Sequence, residues 1–200
     1  MSHLPLTLVY RQKYIQDQLV ASANVKKSMF EACAGDILKA VDMIIRAFNA
    51  QKKLLICGNG GSAADAQHFA TELVIRMTKA DRPALPAIAL TTDSSMLTAG
   101  GNDIGFENIF SRQIEGIGAP GDVLIAISTS GKSDNINRAA EAARKKGMGV
   151  IGFLGKDGGK AKGLVDISII VPSDDTQRIQ EGHITIAHII CGIIENEMFG

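Results

Sequence analysis

His68 and Glu72 stand four residues apart, one turn from each other on one face of an expected helix. A second expected helix, near the C-terminus, carries Gln180, His183 and His188. Gln180 and His188 are eight residues apart and fall within a quarter turn of the same face. A carboxylate and an imidazole are the side chains that most often move protons near neutral pH. His183 reads as a hydrogen-bonded structural histidine. What favours chemistry at His68 and Glu72 is position, because their helix starts in a loop suited to holding an anion.

That loop is Gly58-Asn59-Gly60-Gly61-Ser62, which follows the apolar run Leu54-Leu55-Ile56-Cys57. A second loop of the same kind, Ser128-Thr129-Ser130-Gly131-Lys132-Ser133, follows Val123-Leu124-Ile125-Ala126-Ile127. Each reads as strand, tight loop and helix start, which directs free backbone N–H groups and hydroxyls at an anion. The stretch Gly58–Ala63 satisfies a loose dinucleotide pattern, but the acidic residue due about 20 positions on is missing, and Asp93 comes too late. The stretch Ala126–Ser133 satisfies a permissive nucleotide-binding pattern. Hydroxyl side chains crowd it where small residues normally let the backbone wrap phosphates, and no apolar strand ends in a magnesium-holding Asp. The remaining reading is capture of one phosphate monoester by Ser128, Thr129, Ser130 and Ser133. Four hydroxyls in six residues exceed what one helix cap needs.

Elements that could position these groups follow from the apolar pattern. Candidate strands are Leu54–Cys57, Ala87–Leu90, Val123–Ile127, Val150–Leu154 and Ile167–Val171, with helices over Ala63–Met77, about Ser94–Ala99, Ile109–Ile117, Asp134–Lys146 and Gln177–Met198. Short, nearly all-apolar strands alternating with helices predict an α/β fold: a doubly wound, five-stranded parallel sheet in the order 2-1-3-4-5, flavodoxin-like. In that order the first and third strands are neighbours, and both loops open into the crevice at their carboxyl ends. Ahead of the sheet, residues from about Leu6 to Phe48 predict two helices broken near Ala34-Gly35-Asp36, with Asp36 as the second N-cap. One domain over 1–200 is expected, with a helical N-terminal extension over about 1–50 and an α/β core over about 51–200. Asp157-Gly158-Gly159 reads as a turn without chemistry.

The composition removes other function classes. The 21 Lys and Arg balance 21 Asp and Glu, which gives no electrostatic case for a nucleic-acid partner or a polybasic membrane anchor. No run approaches the ~20 apolar residues that cross a bilayer, and Met1-Ser2-His3-Leu4-Pro5 has no signal-like pattern, so a cytoplasmic enzyme is expected. Cys33, Cys57 and Cys191, odd in number and set in apolar stretches, read as buried thiols.

Five segments together resemble the phosphoheptose isomerases of the sugar isomerase (SIS) fold: Cys57–Ser62, Ala66–Leu73, Gly101-Asn102-Asp103, Ser128–Gly131 with Ser133, and Arg178–Glu181. The resemblance runs in order and with matching spacing from about Asp36 to the C-terminus. It implies isomerisation of sedoheptulose 7-phosphate to D-glycero-D-manno-heptose 7-phosphate, the first step toward the heptose of lipopolysaccharide or surface glycans. It also implies substrate contacts from Asn59, Gly60, Gly61, Ser62, Glu72, Asn102, Asp103, Ser128, Thr129, Ser130, Ser133 and Gln180. Zinc ligands would be His68, Glu72, Gln180 and His188, and the assembly a homo-oligomer, a tetramer, with the N-terminal helices at an interface. Such a reaction needs a base beside a carbonyl and a proton shuttle, roles for Glu72 and His188. A cation would stabilise the enediolate, although a carboxylate committed to zinc is a poorer base. Some relatives place an Asp just before the Arg-Ile-Gln-Glu run, where this chain has Gln177. The alternatives are an isomerase of another sugar phosphate, or a non-catalytic relative that binds the bacterial replication initiator.

Overall fold

Five strands, β1 (Leu54–Cys57), β2 (Ala87–Ala89), β3 (Val123–Ser128), β4 (Gly149–Gly155) and β5 (Ile167–Val171), pair in parallel in the order β2-β1-β3-β4-β5. This is the expected order, in a computed structural model that describes residues 7–200. The N-terminal stretch Met1–Pro5 lies outside the described residues. Six α-helices accompany the strands: α1 (Leu8–Asn49), α2 (Gly61–Val74), α3 (Ser94–Asp103), α4 (Ile109–Ile117), α5 (Asp134–Lys145) and α6 (Thr176–Phe199).

The apolar runs are explained by burial on both faces. Leu54, Ile56, Val123, Ile125 and Phe153 point into a layer shared with α1, α2 and α6. Leu55, Cys57, Leu124, Ala126 and Val150 point into a second layer under α4 and α5. A strand covered on both sides has no polar face to expose, so alternation disappears from its sequence. Burial also pushes the Cys57 thiol up to about 12, and all three cysteines are buried and unpaired, as expected.

The expected break near Ala34-Gly35-Asp36 is not there. The segment forms one helix of 42 residues, α1, and its N-cap is Thr7, whose hydroxyl accepts from Tyr10 N at 3.3 Å. The buried stripe explains the continuity, since Cys33 and Ile37 straddle Gly35 and both pack into the core with Ala40, Val41 and Ile44. Burying an Ile-sized side chain is worth about 1.5–3 kcal/mol, more than the roughly 1 kcal/mol that a mid-helix glycine costs. Asp36 does not cap; it pairs with Lys39 at 2.9 Å, one turn on.

A buried ion pair ties the far end of α6 to the loop after α2. Glu195 accepts from Arg82 Nε at 2.6 Å, Met77 N at 2.8 Å, and Thr78 N and Oγ1 at 2.9 and 2.7 Å. Arg82 also donates to the Glu72 carbonyl at 2.6 Å, so the pair fixes the last turns of α2. Burial alone would raise the Glu195 carboxyl, but the Arg82 guanidinium and the backbone and hydroxyl donors hold it well below its ordinary 4.5. A depressed carboxyl adds stability that is present above the unfolded value and is lost as pH falls. Glu195→Gln should therefore cost about 3–5 kcal/mol at pH 7, since it strands a buried guanidinium. By urea denaturation, that gap should narrow steadily below pH 4.5.

Candidate active site

The β1–β3 ladder ends with Cys57 beside Ala126, and the two loops leave the sheet next to each other there. In the first, Ser62 N donates to Asn59 O and Ala63 N to Gly60 O, both at 3.0 Å, which winds the chain directly into α2. In the second, Ser128 Oγ accepts from Gly131 N at 3.1 Å and Ser130 Oγ accepts from Lys132 N at 3.3 Å. Ser133 occupies the N-cap position of α5 but makes no side-chain cap bond. None of the four hydroxyls caps the helix, so the reading of the loop as a mere cap fails.

Behind the second loop lies the turn to which the sequence assigns no chemistry. Gly131 has φ +63° and Gly159 φ +53°, and the two backbones touch. A Cβ at Gly131 would overlap the Gly158 carbonyl, and one at Gly159 would lie 2.5 Å from Ser130 O. Ala161 N donates to Gly131 O at 3.0 Å and completes the backing. Asp157-Gly158-Gly159 is thus the support for Ser130 and Gly131.

On the other side, the two loop regions meet through a pair of amides. Asn59 Nδ2 donates to Asn135 Oδ1 at 2.9 Å and Asn135 Nδ2 donates to Asn59 Oδ1 at 2.8 Å. Asn59, expected to face the substrate, spends part of its amide on this pair, and Asn135 was not expected at the site at all.

Helices α2 and α6 pack together and bring the proton-carrying side chains into one cluster. His68 Nε2 lies 3.0 Å from Glu72 Oε1 and 3.2 Å from His188 Nε2. Ligand atoms of His68, Glu72 and His188 all lie within 4.8 Å of one another. Gln180, on the same face of α6, rests its amide where a Cβ of Gly61 would be, 2.5 Å from that position. His183 points instead into the core, where its Nε2 lies 2.9 Å from Leu154 O. Burial drives its pKa down to about 4, only partly opposed by that carbonyl, so it anchors α6 as a neutral group.

The sequence reading missed Asp65. It lies three residues before His68 on the same helical stripe, and that spacing was the available signal. Its Oδ2 is buried without a hydrogen-bond partner. Burial raises its pKa, and the nearby His68 and His188 oppose the rise. Other expected residues lie elsewhere. Asn102 and Asp103 end α3, are exposed, and bond to each other at 2.7 Å; among the described residues no hydrogen bond joins either to the loops. Arg178 turns to α1, donating to Gln18 O at 2.8 Å. Beside Gln177, Asp175 caps α6 by accepting from Gln177 N at 2.8 Å.

Comparison with known proteins shows the family and the fold. Residues 19–155 match the SIS domain family. A phosphoheptose isomerase of Trichlorobacter lovleyi is 51% identical over 189 residues, covering 94% of this chain and 96% of the relative. Solved phosphoheptose isomerases from Neisseria gonorrhoeae and Francisella tularensis superpose with TM-scores of 0.87 and 0.90, at 40% and 38% identity. They cover 92% and 93% of this chain and are themselves each covered over 98%.

The backing turn generates a prediction of its own. Gly159→Ala should cost at least about 2 kcal/mol in urea denaturation, since its φ +53°, ψ −153° backbone favours glycine and a Cβ would press on Ser130 O and Gly131. It should also speed amide exchange at Gly131 and Lys132. Gly163→Ala, at a site with open space around it, should stay within about 0.5 kcal/mol of wild type.

Proposed function

The chain belongs to the SIS-domain family and, within it, to the phosphoheptose isomerases, and on that premise we propose that it interconverts sedoheptulose 7-phosphate and D-glycero-D-manno-heptose 7-phosphate. The observation that carries the reading is the meeting of Glu72, His68 and His188 within 4.8 Å, on helices whose N-terminal ends adjoin the first loop. Along α2, His68 stands seven residues beyond Gly61, ~10 Å at 1.5 Å per residue. That is about the reach of an extended seven-carbon sugar.

In this reading the phosphate sits in the second loop, held by the hydroxyls of Ser128, Thr129, Ser130 and Ser133. The start of α5 adds roughly 0.3–1 kcal/mol for an anion. The first loop, Asn59, Gly60, Gly61 and Ser62, lines the sugar with Gln180; Asn102 and Asp103 enter by family resemblance alone. Glu72 takes a proton from C1, the electron pair forms the C1–C2 double bond, and the C2 oxygen gains a proton through His188. His188 then takes the proton from O1 and is restored, the proton held by Glu72 is delivered to C2, and the carbonyl stands at C1. His68 links the two proton carriers, 3.0 Å from Glu72 Oε1 and 3.2 Å from His188 Nε2.

The residues fit a metal. Nε2 of His68, Oε1 of Glu72 and Nε2 of His188 are separated by 3.0 and 3.2 Å, near the ~3.3 Å edge of a tetrahedron with 2.0–2.1 Å bonds. Zinc bound by these three and Gln180 would supply positive charge beside the enediolate oxygens. Glu72 cannot serve fully as ligand and base at one instant, so its two roles alternate or the metal is partly structural.

The assembly in this reading is a homotetramer, with residues 1–50 as the associating extension of a single domain. Exposed Tyr10, Tyr14, Ile15, Leu19 and Phe30 along α1 support it. A cytoplasmic enzyme accords with the finding that, among the described residues, no helix is long and apolar enough to cross a membrane.

Incubation with sedoheptulose 7-phosphate should yield the aldoheptose by NMR, and Glu72→Gln should lower kcat at least ~100-fold with substrate binding retained. Unchanged turnover in that variant would remove Glu72 as the base. Ser130→Ala combined with Ser133→Ala should raise KM about tenfold or more and leave kcat within a few-fold, as expected for groups that bind ground and transition states alike.

A further inference from the structure

We propose that Asn135 is a positioning residue, and that its reciprocal amide clasp with Asn59 sets the distance between the phosphate loop and the sugar-lining loop. The inference rests on the isomerase reading above, because it assigns the two loops to two parts of one ligand. Asn135 lies at the start of α5, is 3% exposed, and was drawn into no role by the sequence. Its partner is 76 residues away in the chain.

The clasp stands where the sheet stops specifying geometry. Beyond Cys57 and Ala126 the β1–β3 ladder ends, and each loop curls into its own helix. Among the described residues the two amide bonds, 2.9 and 2.8 Å, are the only hydrogen bonds joining residues 58–62 to residues 128–135. Each amide donates once and accepts once, so the pair fixes both planes as well as the gap. A primary amide has two N–H groups, and after the clasp Asn59 keeps one. The clasp therefore also aims that remaining donor. A carboxamide places a donor and an acceptor side by side in one plane, which the clasp needs from each partner; a carboxylate accepts but cannot donate, and an apolar residue does neither.

A ligand that spans both loops depends on the gap, whereas inorganic phosphate, which needs only the second loop, does not. This separates positioning from general damage. Asn135→Leu, of similar shape, should raise KM for sedoheptulose 7-phosphate about tenfold with kcat within about threefold, while competitive inhibition by inorganic phosphate stays within about twofold. Asn135→Ala opens the clasp without adding charge beside the phosphate loop and tests the same point should the leucine variant fold poorly; its KM should rise as well. Asn59→Leu with Asn135→Leu should be no worse than Asn59→Leu alone, since the clasp is already open.

Three results would overturn the proposal: an unchanged KM, a parallel loss of phosphate inhibition, or effects that multiply in the double variant. Amide exchange tests the clasp independently of turnover. Ser62 and Ala63, whose N–H groups donate to Asn59 O and Gly60 O, should lose protection in Asn135→Leu, and unchanged protection would sink the clasp. A wild-type protein that leaves sedoheptulose 7-phosphate untouched would refute the isomerase reading, and the exchange result would still decide the clasp.

Discussion

His188 on α6 meets His68 on α2 at 3.2 Å, and eight residues earlier Gln180 fills the space over Gly61. Seven residues separate the two contact points on α2 and eight on α6, so the helices run side by side like rails joined by two rungs. Sliding either helix by one turn, about 5.4 Å, would break both rungs at once. The register is held away from the rungs. Arg178 reaches α1, His183 reaches the end of β4, and Glu195 is locked by Arg82. Between them Phe69, Leu73, Ile179, Ile186 and Ile190 pack into one layer. Anchoring and chemistry thus use different residues of the same helix. That division lets Gln180 and His188 face α2 without themselves having to hold α6 in place.

A phosphate held by the loop Ser128–Ser133, as proposed, would meet few formal charges there. A chain with no net charge gains nothing from its overall field when it meets a dianion. Fixed dipoles do the work instead: hydroxyls, loop N–H groups and the first turn of α5, each cheap to orient once the backbone is rigid. Rigidity comes from both sides, through the interlocked glycines behind the loop and the amide clasp before it. Hydroxyl donors that carry no charge also lose less on leaving water than ammonium groups would.

Much of this was legible in the chain. The sheet order and four of the five helices after α1 were readable to within a few residues, because apolar strand runs and flanking glycines leave a strong pattern; α3 runs on to Asp103, past the expected Ala99. His68 and Glu72 were legible because helical spacing is local, and the meeting of His188 with them was expected from the family resemblance. What failed was what depends on distant partners. Gly35 and Asp36 look like a break only if one cannot see that Cys33 and Ile37 both reach the core, Cys33 even donating to Ile170 O at 3.3 Å. Asn135 has no local signature, since its partner lies across the crevice. Asp157-Gly158-Gly159 looked like an ordinary turn because nothing in its sequence tells which backbone it will lean on.

Two carboxylates share the histidine cluster, and geometry distinguishes them before acidity does. Asp65 has the shorter side chain, and its Oδ2 is sealed from solvent with no donor to meet it. Burial pushes its pKa upward, against the pull of two imidazoles. That oxygen, while sealed, cannot take a proton from carbon. Glu72 is one methylene longer, presents Oε1 directly at His68 Nε2, and keeps part of its side chain open to the crevice. On the proposed mechanism Glu72 carries the proton, and Asp65, seven residues earlier on the same helix face, stays partly buried beside the cluster without sharing that task.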